Sequence, residues 1–237
     1  MTAPLLRVEG LHAHYGKSHV LRGVTLSAGR GEVVSLLGRN GSGRSTTLKA
    51  IMGLVPPSGG RVDLDGRALA GAQPHTICRA GLAYVPEERE VFANLTVDEN
   101  LRMGEQTPVP GAVRWTVAQM FDYFPRLKER RGAKAGSLSG GEQQMLTMCR
   151  SLLGNPLAIL IDEPTEGLAP KIVAQVAECI LDMQRQGVSV VLVEQKLAIA
   201  LKVSTRVCVM GHGHIVFEGT PEQLQAEHEM LAQWLAV

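Results

Sequence analysis

The first quarter of the chain alternates apolar and polar residues, a pattern typical of strands with one buried face. It predicts short strands between Leu5 and Leu26 with a turn at Tyr15-Gly16-Lys17. A proline and glycine cluster at 56–60 predicts a break, followed by another short strand pair at 62–66. The residues expected to point inward are Leu11, Val20, Leu21, Val24 and Leu26. These segments predict short antiparallel strands near the N-terminus.

Three continuous apolar runs predict strands that are buried on both faces, and they lie at 32–37, 157–161 and 188–193. Helical spacing follows the first run at 46–52, and a second helix is expected from about Pro170. Strands that alternate with helices in this way are typical of an α/β fold with a mainly parallel sheet.

Residues from about 87 to 155 have mostly helical spacing and contain no long β-branched run. This stretch interrupts the strand–helix alternation, so it predicts a helical subdomain inserted into one domain of residues 1–237. The core of that domain would comprise residues 1–86 and 156–237.

Composition narrows the classes of function. The net charge is +1 and aromatic residues make up 4%, so nothing favours a nucleic-acid surface. A basic run at 126–131 is better explained as a solvated helix end. No run of 18 apolar residues could span a bilayer, and no leader for secretion is expected. The four cysteines form no CxxC pair, which predicts buried free thiols, and the scattered histidines predict no metal site.

A glycine-rich loop lies between the first buried strand and the following helix, and it matches a phosphate-binding loop at every position except one. Its glycines would let backbone N–H groups surround phosphate oxygens, Ser45 would offer a hydroxyl to Mg²⁺, and Thr46 would begin the helix. The residues of the loop are Gly38, Arg39, Asn40, Gly41, Ser42, Gly43, Arg44, Ser45 and Thr46.

Arg44 is the exception, because it occupies the position of the loop's lysine. A guanidinium keeps the positive charge but is wider and planar, so we expect phosphate binding to survive and hydrolysis to slow by about tenfold to a thousandfold.

Two further motifs lie downstream. Leu138-Ser139-Gly140-Gly141-Glu142-Gln143 is typical of a helix start that binds an anion through its backbone N–H groups, and it also fits a capping box from Ser139 to Glu142. The third motif is an apolar strand that ends in Asp162 and Glu163, followed by Pro164-Thr165.

Together, and in this order, the three motifs resemble the ATP-binding subunit of ABC transporters. The resemblance implies a P-loop, RecA-like ATPase core. It also implies that Asp162 coordinates Mg²⁺, that Glu163 orients the attacking water, and that Tyr15 stacks on adenine. Ser139, Gly140, Gly141 and Glu142 would form the signature that closes over ATP held by a second ATPase subunit.

Some positions depart from the commonest pattern of that family. Glu87 stands where a glutamine usually senses the γ-phosphate and the transmembrane partner, and Gln195 stands where a histidine usually contacts the γ-phosphate. These departures, with Glu-Gly-Leu-Ala-Pro at 166–170 and the segment 94–101, resemble the LivF type of branched-chain amino acid importer ATPase. A sister branch that serves urea or short amides uses similar motifs and stays open as an alternative.

The resemblance implies ATP and Mg²⁺ as cofactors. The implied partners are a second ABC ATPase in a head-to-tail dimer, two permease subunits and, indirectly, a periplasmic substrate-binding protein. The chain would then lie peripherally on the cytoplasmic face of a bacterial inner membrane. One alternative is a regulatory subunit that binds ATP with impaired hydrolysis because of Arg44. Another is a non-transport ABC ATPase, against which the lack of a long coiled-coil insertion or second cassette argues.

Overall fold

The computed structural model describes residues 3–235, so the ends of the expected 1–237 domain, residues 1–2 and 236–237, lie outside the described residues. Within the described residues the strands are β1 (Leu6–Tyr15), β2 (Ser18–Ala28), β3 (Val33–Gly38), β4 (Pro57–Leu64), β5 (Arg67–Ala68), β6 (Leu82–Val85), β7 (Ala158–Asp162), β8 (Ser189–Val193), β9 (Arg206–Gly211) and β10 (His214–Gly219). The α-helices are α1 (Arg44–Ile51), α2 (Pro74–Arg79), α3 (Val97–Gly104), α4 (Val117–Tyr123), α5 (Pro125–Glu129), α6 (Gly140–Leu152), α7 (Pro170–Arg185), α8 (Leu197–Val203), α9 (Pro221–Ala226) and α10 (His228–Trp234).

The strands form two sheets. The larger has the order β10-β9-β3-β8-β7-β6, and β9, β3, β8, β7 and β6 pair in parallel while β10 is antiparallel. Strands β3, β7 and β8 are almost wholly buried because helices cover both faces of this sheet, as their continuous apolar runs predict. The expected α/β fold with a mainly parallel sheet is confirmed.

The smaller sheet has the order β2-β1-β4-β5 and is antiparallel. Its first hairpin turns at Gly16-Lys17 as expected, but its strands are 10 and 11 residues long, not short. Four of the five residues expected inside are buried, and Val20 is only partly buried.

The break expected at 56–60 was wrong, because β4 begins at Pro57 and runs through those glycines. Gly60 lies against the backbone of Gly10 so closely that a Cβ would collide with the Gly10 carbonyl. The glycine therefore serves close approach of two strands here and does not end the strand.

Between β6 and β7 the chain forms α3, α4, α5 and α6. A hydrophobic core that includes Phe124, Met145 and Leu152 packs these helices together, and the same core continues onto one face of the large sheet. Helix α6 also packs on β6, which connects the helices to the large sheet. The helical content expected for this stretch is present, and its status as a subdomain remains a prediction.

Three of the four cysteines are buried free thiols as predicted, whereas Cys78 on α2 is exposed. That part of the prediction was wrong because Cys78 lies on the outer side of α2, next to the buried Ile77. A turn at His212-Gly213 joins β9 to β10. No helix among residues 3–235 combines the length and the apolar character that crossing a membrane requires.

Candidate functional site

The glycine-rich loop runs from the end of β3 to the start of α1, as its position in the sequence predicts. Gly38, Gly41 and Gly43 have positive φ angles of 150°, 80° and 105°. At Gly38 a Cβ would lie 2.6 Å from the Met210 carbonyl oxygen, so the tight turn requires glycine. Gly43 is the N-cap of α1, and the N–H groups of the first helical turn therefore face the loop.

A cavity of about 260 Å³ opens at this helix start. Its residues come from the loop after β3 and from the segments that follow β8, β7 and β6. These four strands are consecutive neighbours in the large sheet, so their ends meet at one edge. The residues that line it are Asn40, Gly41, Gly43, Arg44, Ser45, Thr46, Glu87, Glu163, Glu166 and Gln195. Donors from the helix start and an arginine in one polar cavity are suited to a phosphate chain.

Arg44 is 5% exposed and its guanidinium is directed into the protein. Its Nη2 donates to Glu163 Oε1 at 2.9 Å and to Asn40 Oδ1 at 3.0 Å, and its Nη1 donates to the Glu194 carbonyl at 3.2 Å. A planar fork can make these bonds together, whereas a single ammonium group has no such fixed geometry. Arg44 therefore connects the loop to the ends of two buried strands.

Ser45 and Asp162 meet below the loop, where the Ser45 hydroxyl donates to Asp162 Oδ1 at 2.9 Å. Asp162 is fully buried, and this burial raises the pKa of its carboxyl group. Hydrogen bonds from Ser45 and from the Tyr84 hydroxyl, at 3.3 Å, act in the opposite direction and lower it. A hydroxyl and a carboxylate side by side are hard oxygen donors, the set that Mg²⁺ prefers.

Glu163 follows directly in a left-handed backbone conformation, with φ of 45°. A non-glycine residue is strained there, and this geometry is common at functional sites. Burial raises the pKa of the Glu163 carboxyl group to about 7, although Arg44 and a hydrogen bond from Gln195 both lower it. Gln195 Nε2 donates to Glu163 Oε2 at 2.6 Å, so both oxygens of this carboxylate have partners.

Glu194 is a buried residue beside the site that the sequence did not single out. It is 2% exposed, and its carboxylate accepts from the Thr165 hydroxyl at 2.7 Å and from the backbone N–H groups of Gln195 and Lys196 at 2.9 Å. It fixes the segment that carries Gln195 and ties it to the segment after Glu163. Its only signal in the sequence is an acidic residue directly after a buried strand.

Glu87 also lines the cavity. One carboxylate oxygen from each of Glu87, Glu163 and Glu166 lies within 4.8 Å of the other two. Burial and then the neighbouring Asp162 and Glu166 raise the pKa of Glu87. Glu166 was not predicted as part of the cavity. Clustered acids beside the helix start would repel a phosphate chain unless cations accompany it.

The signature residues do not line this cavity. Ser139 caps α6, its hydroxyl accepting from the Glu142 N–H at 3.3 Å, and Glu142 accepts from the Ser139 N–H at 2.8 Å. The capping box is thus present in full. Arg89 lies against Gly140 and donates to the Glu166 carbonyl at 3.2 Å, a contact that the sequence did not predict. The glycines and the helix start form a surface separate from the cavity, and the positive end of α6 there favours an anion.

The remaining predicted residues lie around the cavity. Tyr15 is 51% exposed at the tip of the β1–β2 hairpin and does not line it. Gly38, Arg39 and Asn40 line a neighbouring cavity with Gln195. The Ser42 hydroxyl is buried and has no hydrogen-bond partner among residues 3–235.

Comparison with known proteins gives consistent results. A family model described as ABC transporter matches residues 21–166. The branched-chain amino acid transport ATP-binding protein BraG of Pseudomonas aeruginosa is 41% identical over 216 residues, which cover 91% of this chain and 93% of BraG. A probable branched-chain amino acid transport ATP-binding protein, LivF of Archaeoglobus fulgidus, is 37% identical over 95% of each chain.

A solved structure described as a nucleotide-free ATP-binding cassette from an ABC transporter aligns with a TM-score of 0.83. It is 26% identical, and the alignment covers 96% of both chains. The similarity therefore extends over the whole cassette in sequence and in fold.

Proposed function

The chain belongs to the ABC transporter family, as an ATPase coupled to transport, and from that premise we propose that it powers an importer of branched-chain amino acids. The observation that carries the proposal is the cavity that joins the phosphate-binding loop to Asp162 and Glu163. The amino-acid substrate class is supported by the similarity to BraG and LivF, which are described as branched-chain amino acid transport proteins.

ATP would bind with its phosphates on the loop, held by backbone N–H groups and by Arg44, and with its adenine on Tyr15. Ser45 and Asp162 would hold Mg²⁺, because they place a hydroxyl and a carboxylate 2.9 Å apart. The ion would neutralise phosphate charge and orient the β- and γ-phosphates. It also accounts for acids next to an anion site, since a bound cation offsets their repulsion.

Glu163 would act as the base that orients the attacking water, and Gln195 would hold its carboxylate in place. A base with a pKa of about 7 is well matched to catalysis near neutral pH. In the structure the Glu163 carboxylate accepts a hydrogen bond from Arg44. ATP must therefore draw Arg44 away before Glu163 can accept a proton.

A second candidate function follows from the same bond. If Arg44 stayed on Glu163 with ATP bound, the chain would bind nucleotide without turning it over and would act as a regulatory subunit. The intact pair of Asp162 and Glu163 favours hydrolysis. Turnover of the purified chain, alone and with its partner ATPase, separates the two.

The surface at Ser139, Gly140 and Gly141 would act on ATP held by a second ATPase subunit in a head-to-tail dimer. Its distance from the chain's own cavity supports this division, because these residues do not line that cavity. The chain would lend an intact signature to the partner's site, while its own site carries Arg44 and Gln195. The partner's site would then supply most of the turnover.

A groove of about 650 Å³ beside the helices would receive a cytoplasmic helix of a permease subunit. Its rim carries Leu54, Phe92 and Met103, which are 51%, 47% and 61% exposed. The Arg150 guanidinium lies 4.8 Å from the centre of the Phe92 ring. Apolar side chains rimmed by charge are typical of protein interfaces. Docking there would place the chain on the cytoplasmic face of a bacterial inner membrane, with a periplasmic binding protein delivering the substrate.

The test is uptake by the complex of this chain, its partner ATPase and two permeases in vesicles, supplied with the binding protein. Leucine uptake that requires ATP is expected, and urea uptake is not. Glu163→Gln should reduce uptake less than the equivalent change in the partner ATPase, and an equal loss would contradict the asymmetry. Urea uptake without leucine uptake would contradict the proposed amino-acid substrate and favour the urea alternative, while the assignment as a transport ATPase would stand.

A further inference from the structure

Three histidines form a stack on the outer side of the β1–β2 hairpin, next to Tyr15. The rings of His14 and His19 are nearly parallel, at 8°, with centroids 4.1 Å apart. The His12 ring lies beside that of His19, with centroids 5.3 Å apart and planes inclined by 28°, and its Nδ1 lies 3.1 Å from His19 Nε2, a hydrogen bond between two rings. The His14 Nδ1 also bonds the Ser58 hydroxyl of β4 at 3.0 Å.

The stack lies where the backbone pairing of the hairpin is irregular. His14 pairs with His19 and Tyr15 pairs with Ser18, but the register shifts on both sides of His12-Ala13. Interrupted pairing leaves the tip with fewer ladder hydrogen bonds. The side-chain contacts of the histidines therefore add to the backbone pairing that holds the tip.

The arrangement does not suit a metal ion held by all three rings. The lone pairs of imidazole nitrogens lie in the ring plane, and parallel planes 4.1 Å apart do not converge on one point. A ring-to-ring hydrogen bond, in contrast, depends directly on protonation. One nitrogen must donate and the other must accept, so the bond is lost when both rings are protonated.

The charged groups around His19 would not compensate for such protonation. Those acting on it are His14 and His12 from β1 and Arg22 from β2, and none of them carries a negative charge. Strand β4 contributes Ser58 and Gly59, which carry no charge. Burial, then His14 and His12, lower the pKa of His19 below 6.5.

We propose that His12, His14 and His19 form a proton-sensitive clasp that holds the hairpin tip, and with it Tyr15, in place when the rings are neutral. The inference rests on the proposed function in one respect, the stacking of Tyr15 on adenine. Because folding disfavours the protonated form of His19, the clasp is fully formed above pH 6.5 and is lost as the pH falls below that value. Acid then weakens the grip on adenine and leaves the phosphate loop unchanged.

The test compares two ligands that share phosphates but not adenine. Affinities for ATP and for inorganic tripolyphosphate are measured from pH 8 to 5.5 on the full chain. The affinity for ATP should fall by roughly three- to tenfold more than that for tripolyphosphate. The ratio cancels the titration of groups around the phosphates, such as Glu163. In His19→Gln this additional fall should be absent, so that only the different ionisation of the two ligands remains in the ratio. The exposed His75 on α2 provides the control His75→Gln, which should behave as the wild type.

A ratio with the same pH dependence in the wild type and in His19→Gln would overturn the proposal. Amide hydrogen exchange over residues 12–19 provides a readout that needs no nucleotide. After correction for intrinsic exchange, protection should decrease between pH 7.5 and 5.5 in the wild type and in His75→Gln. If ATP fails to bind at pH 8, the proposed function fails, while constant protection across this range would overturn the clasp itself.

Discussion

Arg44 Nη2 lies 2.9 Å from Glu163 Oε1, and the two side chains are only 5% and 6% exposed. The residue that replaces the lysine of the phosphate-binding loop is thus bonded to the residue in the position of the catalytic base. A buried ion pair is costly to break by removing one partner, because the other charge stays buried. A phosphate group offers Arg44 an alternative partner, so the phosphates of ATP and the Glu163 carboxylate compete for the same guanidinium.

Arg44→Lys should increase turnover by about tenfold to a thousandfold at similar ATP affinity. Lysine keeps the charge but lacks the fork that holds Asn40, Glu163 and the Glu194 carbonyl together, so Glu163 is released more easily. The measurement is steady-state hydrolysis at saturating Mg²⁺ and ATP, with affinity measured in parallel. Arg67→Lys, at an exposed arginine on β5, is the control. Equal turnover in Arg44→Lys and wild type would mean that arginine serves this position as well as lysine.

Glu163→Gln should nearly abolish turnover and tighten ATP binding by about tenfold. The substitution removes the base, and it also removes the anion that competes with phosphate for Arg44. Without nucleotide, the buried Arg44 charge would lose its ion pair, so the midpoint of thermal unfolding should fall and then recover on addition of ATP. Glu178→Gln on α7, an exposed acid, should change none of these quantities. Unchanged affinity in Glu163→Gln would show that the bond does not oppose binding.

The sequence predicted the parallel sheet and the cavity's main residues because each depends on local patterns. Arg44 stood out as a departure, but its bond to Glu163 joins residues 119 positions apart, and no local pattern reports such a contact. Glu194 was missed for the same reason, since its partner Thr165 belongs to another strand end. Cys78 was placed wrongly because burial on a helix as short as α2 depends on what covers it.

The pH dependence of kcat/KM should follow the ionisation of Glu163 in the nucleotide-free enzyme. Only the ionised carboxylate can accept a proton, so kcat/KM should rise with pH to a plateau, with a midpoint near the pKa of about 7. Gln195 donates to this carboxylate and favours its ionised form. Gln195→Leu should therefore move the midpoint to higher pH. A midpoint that stays in place, or moves to lower pH, would contradict the role given to Gln195.

Asn100 on α3 should be a strong determinant of stability near the groove. It is fully buried, accepts from the Phe92 N–H at 2.9 Å, and donates to the carbonyls of Phe92 and Thr96 at 3.1 and 2.9 Å. Asn100→Ala would leave these backbone groups without partners and should lower the free energy of unfolding by about 2–4 kcal/mol. Denaturant unfolding measures this free energy, and Asn94→Ala, at an exposed position, is the control. A decrease of less than about 0.5 kcal/mol in Asn100→Ala would be inconsistent with the hydrogen bonds described.

Ser139 has two roles, and a pair of substitutions separates them. Its hydroxyl caps α6, so Ser139→Ala should lower the free energy of unfolding by about 1 kcal/mol. Aspartate is as good a cap and favours a helix start, so Ser139→Asp should leave stability nearly unchanged. Its negative charge, however, would face the γ-phosphate of ATP held by the partner subunit.

Turnover of the assembled pair of ATPase subunits should therefore fall by about a hundredfold or more in Ser139→Asp. The isolated chain should meanwhile unfold at the same denaturant concentration as the wild type. Hydrolysis by the Ser139→Asp pair at the wild-type rate would leave Ser139 with a capping role alone. Together the two variants show whether the anion surface of α6 acts on nucleotide, because stability and turnover are expected to change independently.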